Sequence, residues 1–359
     1  MISNRPLAIK NKIIRQDTLK RKKPLDIDQL KQPVSFWIKE DRLLNEIGKE
    51  FTIILRTKGC SWALGENGGC TMCGYINDAN IEPVSPSLIK SQFDFAFDNK
   101  IDKIKNDKEK YILKIFNSGS FFDDNEIPKS IREYIFERTL DIKNINEIVV
   151  ESRIEFLNSE KLIEMRNELG NKYVEIAIGI ETVDDYIRNH YINKGFLLDD
   201  FKKVLNRCKE HNLGVKAYLL FKPPFINEQI AIEDCSNSIR SLIKLGVNSI
   251  SINPLNIQKG TFVEYLWYQK RYRPPWFYSL FKCLRNSINQ HDLKKVRILS
   301  DPSGAGTKRG IHNCLKRECE NSARTILKNF VLNQDIRKLD EQIYTCECKK
   351  IYQLKKWFN

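Results

Sequence analysis

The chain has no long hydrophobic run. Its apolar stretches, such as AYLLF at 217–221, are far shorter than the roughly 18 residues a membrane span needs, and the opening MISNRPLAIKNKIIRQ contains no signal-peptide core. These absences predict a soluble cytoplasmic protein with no membrane partner. No internal repeat and no low-complexity linker interrupts the 359 residues, and 41% hydrophobic residues mark a globular chain rather than a disordered one. Acidic residues are in deficit: 46 Asp and Glu against 60 Lys and Arg leave a charge of +14, concentrated in the first forty residues and the last quarter. Such an excess suits a polyanionic partner, and equally the solvated surface of a lysine-rich chain.

A complete ligand set is also missing. Ten cysteines in a cytoplasmic chain point to metal before disulfides. Cys208, Cys235 and Cys283 sit at helical spacing among Leu, Ile and Val and are expected to be small buried hydrophobes. The other seven form two clusters. The first is Cys60-x9-Cys70-x2-Cys73 in CSWALGENGGCTMCGY, where Gly65, Gly68, Gly69 and Gly74 let the backbone wrap tightly. No fourth Cys or His follows nearby. A zinc knuckle would look similar but wants four ligands, whereas a 4Fe-4S cluster on three thiolates leaves one iron open.

From 51 to about 255, short apolar runs alternate with amphipathic stretches. Strands are predicted at 51–57, 111–117, 147–152, 174–181, 214–221 and 248–255, with helix-like segments of i, i+3, i+4 spacing between them. Six β-α repeats predict an α/β fold whose parallel sheet is closed or partly closed into a barrel, with helices outside. Active sites of such barrels lie at the C-terminal strand ends. The polar residues there are Asn117, Ser118, Gly119 and Ser120; Glu151 and Arg153; Glu181; Lys222; and Asn253. Each could equally cap a helix or hold a loop. Three parts are expected: 1–48, a basic and mostly irregular arm with one helix around VSFWIKEDRLLNEI; 49–294, the barrel; and 295–359, a cysteine-rich basic module. In 262–288, Pro274 and Pro275 separate two aromatic-rich helices.

In the tail, Cys314-x4-Cys319 and Cys346-x-Cys348 flank a helix-like stretch. Two close thiol pairs predict a four-cysteine zinc site, with His312 as an alternative ligand and a second iron–sulfur cluster as an alternative filling. Lys308, Arg309, Lys316, Arg317, Lys349, Lys350, Lys355 and Lys356, interleaved with Tyr352, Trp357 and Phe358, suit an RNA surface. Tyr272, Arg273, Trp276 and Phe277 could extend it.

The cysteine triplet, NSGS at 117–120, ESR at 151–153 and IGIET at 178–182 together resemble a radical SAM core of the type shared with the Elongator catalytic subunit. The chain from about 35 onward more closely resembles the archaeosine-biosynthesis radical SAM family (RaSEA), through the segments Asn253 to Trp267, Tyr272 to Trp276, Asp301 to Cys314 and Cys346 to Cys348. The nine-residue spacer departs from the usual three of the superfamily but fits this family. The resemblance implies a partial (β/α)6 TIM-like barrel with a small C-terminal metal-binding module. Cys60, Cys70 and Cys73 would hold a 4Fe-4S cluster, and Met72 would pack near the adenine of S-adenosylmethionine (SAM). Asn117, Ser118, Gly119 and Ser120 would stand where the methionine amino group binds. Glu151, Arg153 and Glu181 would reach the SAM carboxylate or ribose; for Arg153 a bidentate match to carboxylate supports this. The implied activity is a C-N lyase acting through a 5'-deoxyadenosyl radical. Its substrate would be the lysine adduct of 7-cyano-7-deazaguanosine in the tRNA D-arm, and its product archaeosine. The implied partners are tRNA, the lysine-transferring archaeosine synthase subunit and an electron donor. Arg271, Arg273 and Lys222 are candidates to bind the lysine carboxylate. Two other readings remain: a radical SAM tRNA enzyme of another outcome, by acyl-radical addition or methylthio transfer, and a non-enzymatic zinc protein that binds RNA.

Overall fold

A computed structural model describes residues 6–340 and 345–358. Eight strands form one sheet in chain order: β1 (Ser35–Arg42), β2 (Ile47–Leu55), β3 (Tyr111–Asn117), β4 (Ile145–Glu151), β5 (Tyr173–Glu181), β6 (Gly214–Phe221), β7 (Ser249–Pro254) and β8 (Arg297–Leu299). β1 and β2 are antiparallel; every later pair is parallel. The helices in chain order are α1 (Pro6–Lys20), α2 (Ile27–Leu30), α3 (Ser61–Leu64), α4 (Pro86–Asn106), α5 (Lys129–Leu140), α6 (Ser159–Leu169), α7 (Leu198–Glu210), α8 (Glu228–Leu245), α9 (Phe262–Tyr268), α10 (Phe277–Ser287), α11 (Arg317–Asn333) and α12 (Cys348–Lys355). The main core lies between the outer face of the sheet and α4 to α8, α10 and α11, and includes Phe51, Phe93, Leu113, Ile148, Ile176, Phe201, Val215, Ile250 and Phe281. Cys208, Cys235 and Cys283 are buried in it as free thiols.

Three sequence expectations change. Residues 35–42 are a strand, not a helix: Phe36 and Ile38 pack on the outer core, while Trp37 bonds Glu50 Oε1 at 2.6 Å on the opposite face and Asp41 meets Lys114 at 2.6 Å. That two-residue alternation is a strand's, and eight paired positions with β2 stabilise it. The arm before it contains α1, a fifteen-residue helix rather than irregular chain. The sheet also continues past residue 255, since β8 pairs with β7.

The inner face carries charge. Arg297 holds Glu147 at 2.8 Å and Glu175 at 2.6 Å and donates to Ser249 Oγ at 2.9 Å. Lys114 holds Asp41 and Glu50. Arg297 also donates to Arg42 O at 3.2 Å, tying β8 to the end of β1. Gln334, which follows α11, pairs with both Ile298 N and O at 2.8 Å. The half barrel is thus fastened near the start of its strands, and its opposite end is left for the site. Among the described residues no helix is long and apolar enough to cross a membrane.

Candidate active site and tail metal centre

The loop after β2 carries Cys60, Cys70 and Cys73, and α1 braces it from behind. Asn11 Nδ2 donates to Gly68 O at 2.9 Å and Gly69 O at 2.8 Å. Arg15, 2% exposed, donates to Gly68 O at 3.3 Å, Cys70 O at 3.5 Å and Cys73 O at 2.7 Å. Gly68 is needed here, because at its φ of +66° a Cβ would lie 2.7 Å from the Lys12 backbone. From the opposite side Asn193 Nδ2 donates to Asn67 O and Gly69 O, each at 2.8 Å, and Thr71 Oγ1 donates to Tyr191 O at 2.8 Å. Neither Asn11 nor Arg15 was legible as a site residue.

The three thiols interact electrostatically with one another. Burial raises the Cys60 thiol, with Arg153 opposing; burial pushes the Cys73 thiol up to about 12, with Arg15 opposing. Enclosed thiols beside guanidinium groups fit a cluster held by thiolates, whose negative charge the guanidinium groups offset. Arg15 Nη1 is a buried donor with no partner beside them. Among the described residues only the tail quartet brings its ligand atoms within 4.8 Å of one another, so the first triplet is too widely spread for a single small ion.

The predicted contacts gather around this loop. Asn117 Nδ2 donates to Glu126 at 2.8 Å, leaving Asn117 Oδ1 a buried acceptor with no partner, which fits an ammonium. Glu126 also accepts from Thr57 Oγ1 and Ser120 N, each at 2.8 Å, and Gly119 lies so close to it that a Cβ would meet Oε1 at 1.8 Å. Glu126 therefore shapes the 117–120 turn, and burial pushes its carboxyl up to about 7. Ser120 Oγ accepts from Arg153 N at 3.1 Å. The Arg153 guanidinium stacks on Trp62 at 4.8 Å, pairs with Glu155, donates to Lys194 O at 3.1 Å and senses both Cys60 and Cys70. Glu181, at a φ of +67°, pairs with Lys194 at 2.7 Å. A non-glycine residue there is strained, and such strain gathers at functional sites. Burial pushes the Glu151 carboxyl up to about 7, with a hydrogen bond to Tyr218 opposing. Half-exposed Tyr75 stands over the mouth, close enough to interact with Cys73 and Glu151. Met72 packs against the apolar cluster that contains Cys70, Leu255 and Ile257.

Two of the cations suggested for the lysine carboxylate are occupied. Lys222 pairs with Glu228 at 2.7 Å and donates to Arg273 O at 2.9 Å. Arg273 stacks on Trp276 at 3.7 Å and donates to the carbonyls of Pro274, His312 and Asn313.

In the tail, Cys314 Sγ lies 3.7 Å from Cys346 Sγ and Cys319 Sγ 3.8 Å from Cys348 Sγ, under Trp276, Tyr278 and Tyr352. Glu320 Oε1 accepts from the backbone N–H groups of Asn313, Cys314 and Leu315, at 2.8, 2.8 and 2.9 Å, which fixes the first knuckle. His312 stands outside the quartet: its Nδ1 faces Gly310 O at 2.8 Å. The basic and aromatic positions divide. Tyr272, Trp276, Phe277 and Tyr352 are core, and Arg309 is held by Glu264 and Ile257 O. Lys308, Lys316, Arg317, Lys349, Lys350 and Lys355 are exposed, as are Trp357 and Phe358.

A mostly parallel half barrel, with three cysteines on the loop after its first parallel strand, has the radical SAM fold. A solved structure with a similar fold is the Elp3 protein of the archaeon Methanocaldococcus infernus, lacking residues 1–46, with a TM-score of 0.50 and 14% identity over 70% of this chain and 62% of that one. No family model matches the chain. Curated relatives do. An uncharacterized protein of Methanocaldococcus jannaschii is 39% identical over 95% of this chain and 90% of its own length. The archaeosine synthase subunit beta of Methanosarcina acetivorans is 36% identical over 90% of this chain and 89% of its own length, and that of Thermococcus kodakarensis 35% over 86% and 92%. The chain belongs to the archaeosine synthase subunit beta family.

Proposed function

We propose that this chain is the radical SAM subunit that cleaves the lysine adduct of 7-cyano-7-deazaguanosine in the tRNA D-arm, breaking the bond between the lysine carbon and the formamidine nitrogen to leave archaeosine. The observation that carries the reading is the three-cysteine loop, braced by α1 at the open end of a half barrel. Cys60, Cys70 and Cys73 would hold a 4Fe-4S cluster, with SAM bound beside it. When bound and reduced, that pair supplies a hydrogen-abstracting adenosyl radical. The chain's own residues bind and orient. Asn117 Oδ1 accepts from the methionine ammonium in the turn of Ser118, Gly119 and Ser120; Arg153 meets the carboxylate; Glu151 and Glu181 reach the ribose side; and Met72 flanks the adenine.

Zinc in the tail is supported by size. Four thiolates about 2.3 Å from one ion stand about 3.8 Å apart, and the two thiol pairs lie at 3.7 and 3.8 Å. The segment from about 295, with its exposed lysines, faces tRNA beside the 49–294 barrel and the 1–48 arm. The partners are the lysine-transferring archaeosine synthase subunit and an electron donor in the cytoplasm.

The test is anaerobic incubation of reconstituted protein with SAM, a reductant and lysine-adduct tRNA, followed by nucleoside mass spectrometry. Archaeosine is the expected product. SAM turnover without it would favour a radical tRNA enzyme of another outcome.

A further inference from the structure

Among the described residues, the inner wall of the barrel holds a lysine with no ion pair of its own. Lys216, in β6, is 3% exposed, and among the described residues its ammonium makes no hydrogen bond and no ion pair. Lys114, Lys194 and Lys222, enclosed to a similar degree, each hold a carboxylate. The carboxylates around Lys216 are already engaged: Glu175 and Glu147 by Arg297, Asp41 and Glu50 by Lys114, and Glu151 by Tyr218. An enclosed ammonium with no ion pair is costly, and a chain selected for stability alone would place Met or Leu at this position. An anion brought by a ligand resolves the cost.

The depth is right for one. Two residues further along the strand, on the same face, Tyr218 lies with its ring 5.8 Å from the Lys216 ammonium and reaches Glu151 at the mouth. Leu219 is in register with Glu181 at the rim, three residues from Lys216, or about 10 Å at about 3.3 Å per residue. An extended lysyl chain, from its ε-carbon to its carboxylate carbon, spans about 6 Å over five bonds. The cations suggested by sequence are otherwise committed: Lys222 to Glu228, and Arg273 to Trp276 and three carbonyls, while Arg271 is exposed.

We propose that Lys216 binds the α-carboxylate of the amino acid carried by the substrate nucleoside, so that the chain selects an amino-acid adduct over an amine adduct. This assignment rests on the lyase reading above. It places the carboxylate deep in the barrel and leaves the reacting carbon at the mouth, on the side of Cys60, Cys70 and Cys73.

The experiment compares tRNA carrying the lysine adduct with tRNA carrying the 1,5-diaminopentane adduct, which lacks only the carboxylate. Wild type is expected to favour the lysine adduct by about 10- to 100-fold in kcat/KM, mostly through KM. Lys216→Met is expected to lose that preference to within about twofold and Lys216→Arg to keep part of it. Without substrate, Lys216→Met should hold as much iron as wild type and melt close to it, the relief of an enclosed charge offsetting the lost attraction to Glu175. A retained preference in Lys216→Met overturns the assignment, as does an equal loss on both adducts. If wild type makes archaeosine from both adducts equally well, Lys216 is excluded while the lyase reading stands. If it cleaves SAM and converts neither, the lyase reading falls and takes this assignment with it.

Discussion

Replacing Arg15 with methionine should loosen the iron–sulfur site from a residue that touches no thiol. Arg15 crosses behind the loop and donates to three of its carbonyls, at 2.7, 3.3 and 3.5 Å. Hydrogen bonds from a charged donor contribute about 1.5–3 kcal/mol each at good geometry. Only the Cys73 contact is that short, so about 2 kcal/mol is assigned to it and about 1 kcal/mol to the two long ones together. Methionine refills the aliphatic volume but supplies no donor, and loop closure is weakened by about 3 kcal/mol, or about 100-fold in retention of the cluster. The assay is anaerobic reconstitution, iron per chain, and the rate at which a chelator then removes the iron. Lys12→Met, on the same helix but in a solvent-facing pair with Glu66, is the control and should change little. Iron retention by Arg15→Met within about twofold of wild type would refute the bracing role of α1.

Cys346→Ser with Cys348→Ser should lose about one zinc per chain by metal analysis and keep the iron of the first site; unchanged zinc would rule out the tail site. Glu126→Ala frees the 117–120 turn and should weaken SAM binding about tenfold by equilibrium titration, for the loss of the two hydrogen bonds that position Asn117 and Ser120, while iron per chain stays constant. Arg297→Met leaves Glu147 and Glu175 buried without a cation and should cost about 3–5 kcal/mol in thermal or denaturant unfolding. Although burial opposes it, Arg297 together with Lys216 holds the Glu175 carboxyl below its usual range. The network's contribution is therefore present above the unfolded glutamate value of about 4.3 and lost as pH falls through the lower folded value. Melting temperatures that stay flat from neutral pH into acid would contradict that sign.

The parallel strands were legible because their apolar runs are short, nearly continuous and bounded by turn residues, as buried parallel strands must be. The predicted ranges 111–117 and 214–221 coincide with β3 and β6. β1 was not legible, since SFWIKEDRLL offers charges that suit a helix surface as well as a charged barrel interior. α1 was missed because it is basic and depends on the cysteine loop for its partners. The interior charges left one signal: Lys114 in YILKIFN, Glu175 in VEIAIGIE and Lys216 in GVKAYLLF are single polar residues inside apolar strands, which only an inward-facing network explains. The cysteines, Asn117, Glu151, Arg153 and Glu181 were readable as candidates from motif and strand end. Glu126, Asn11, Arg15 and Lys194 were not, because nothing local separates them from turn or surface residues.

The central claim is that Cys60, Cys70 and Cys73 hold a cluster that cleaves SAM. It is tested most directly by reconstituting wild type and Cys70→Ala with iron and sulfide, adding dithionite and SAM, and measuring 5'-deoxyadenosine. Wild type should form it and Cys70→Ala should neither hold the cluster nor form it. No 5'-deoxyadenosine from wild type, or a cluster and product unaffected by Cys70→Ala, would contradict the account.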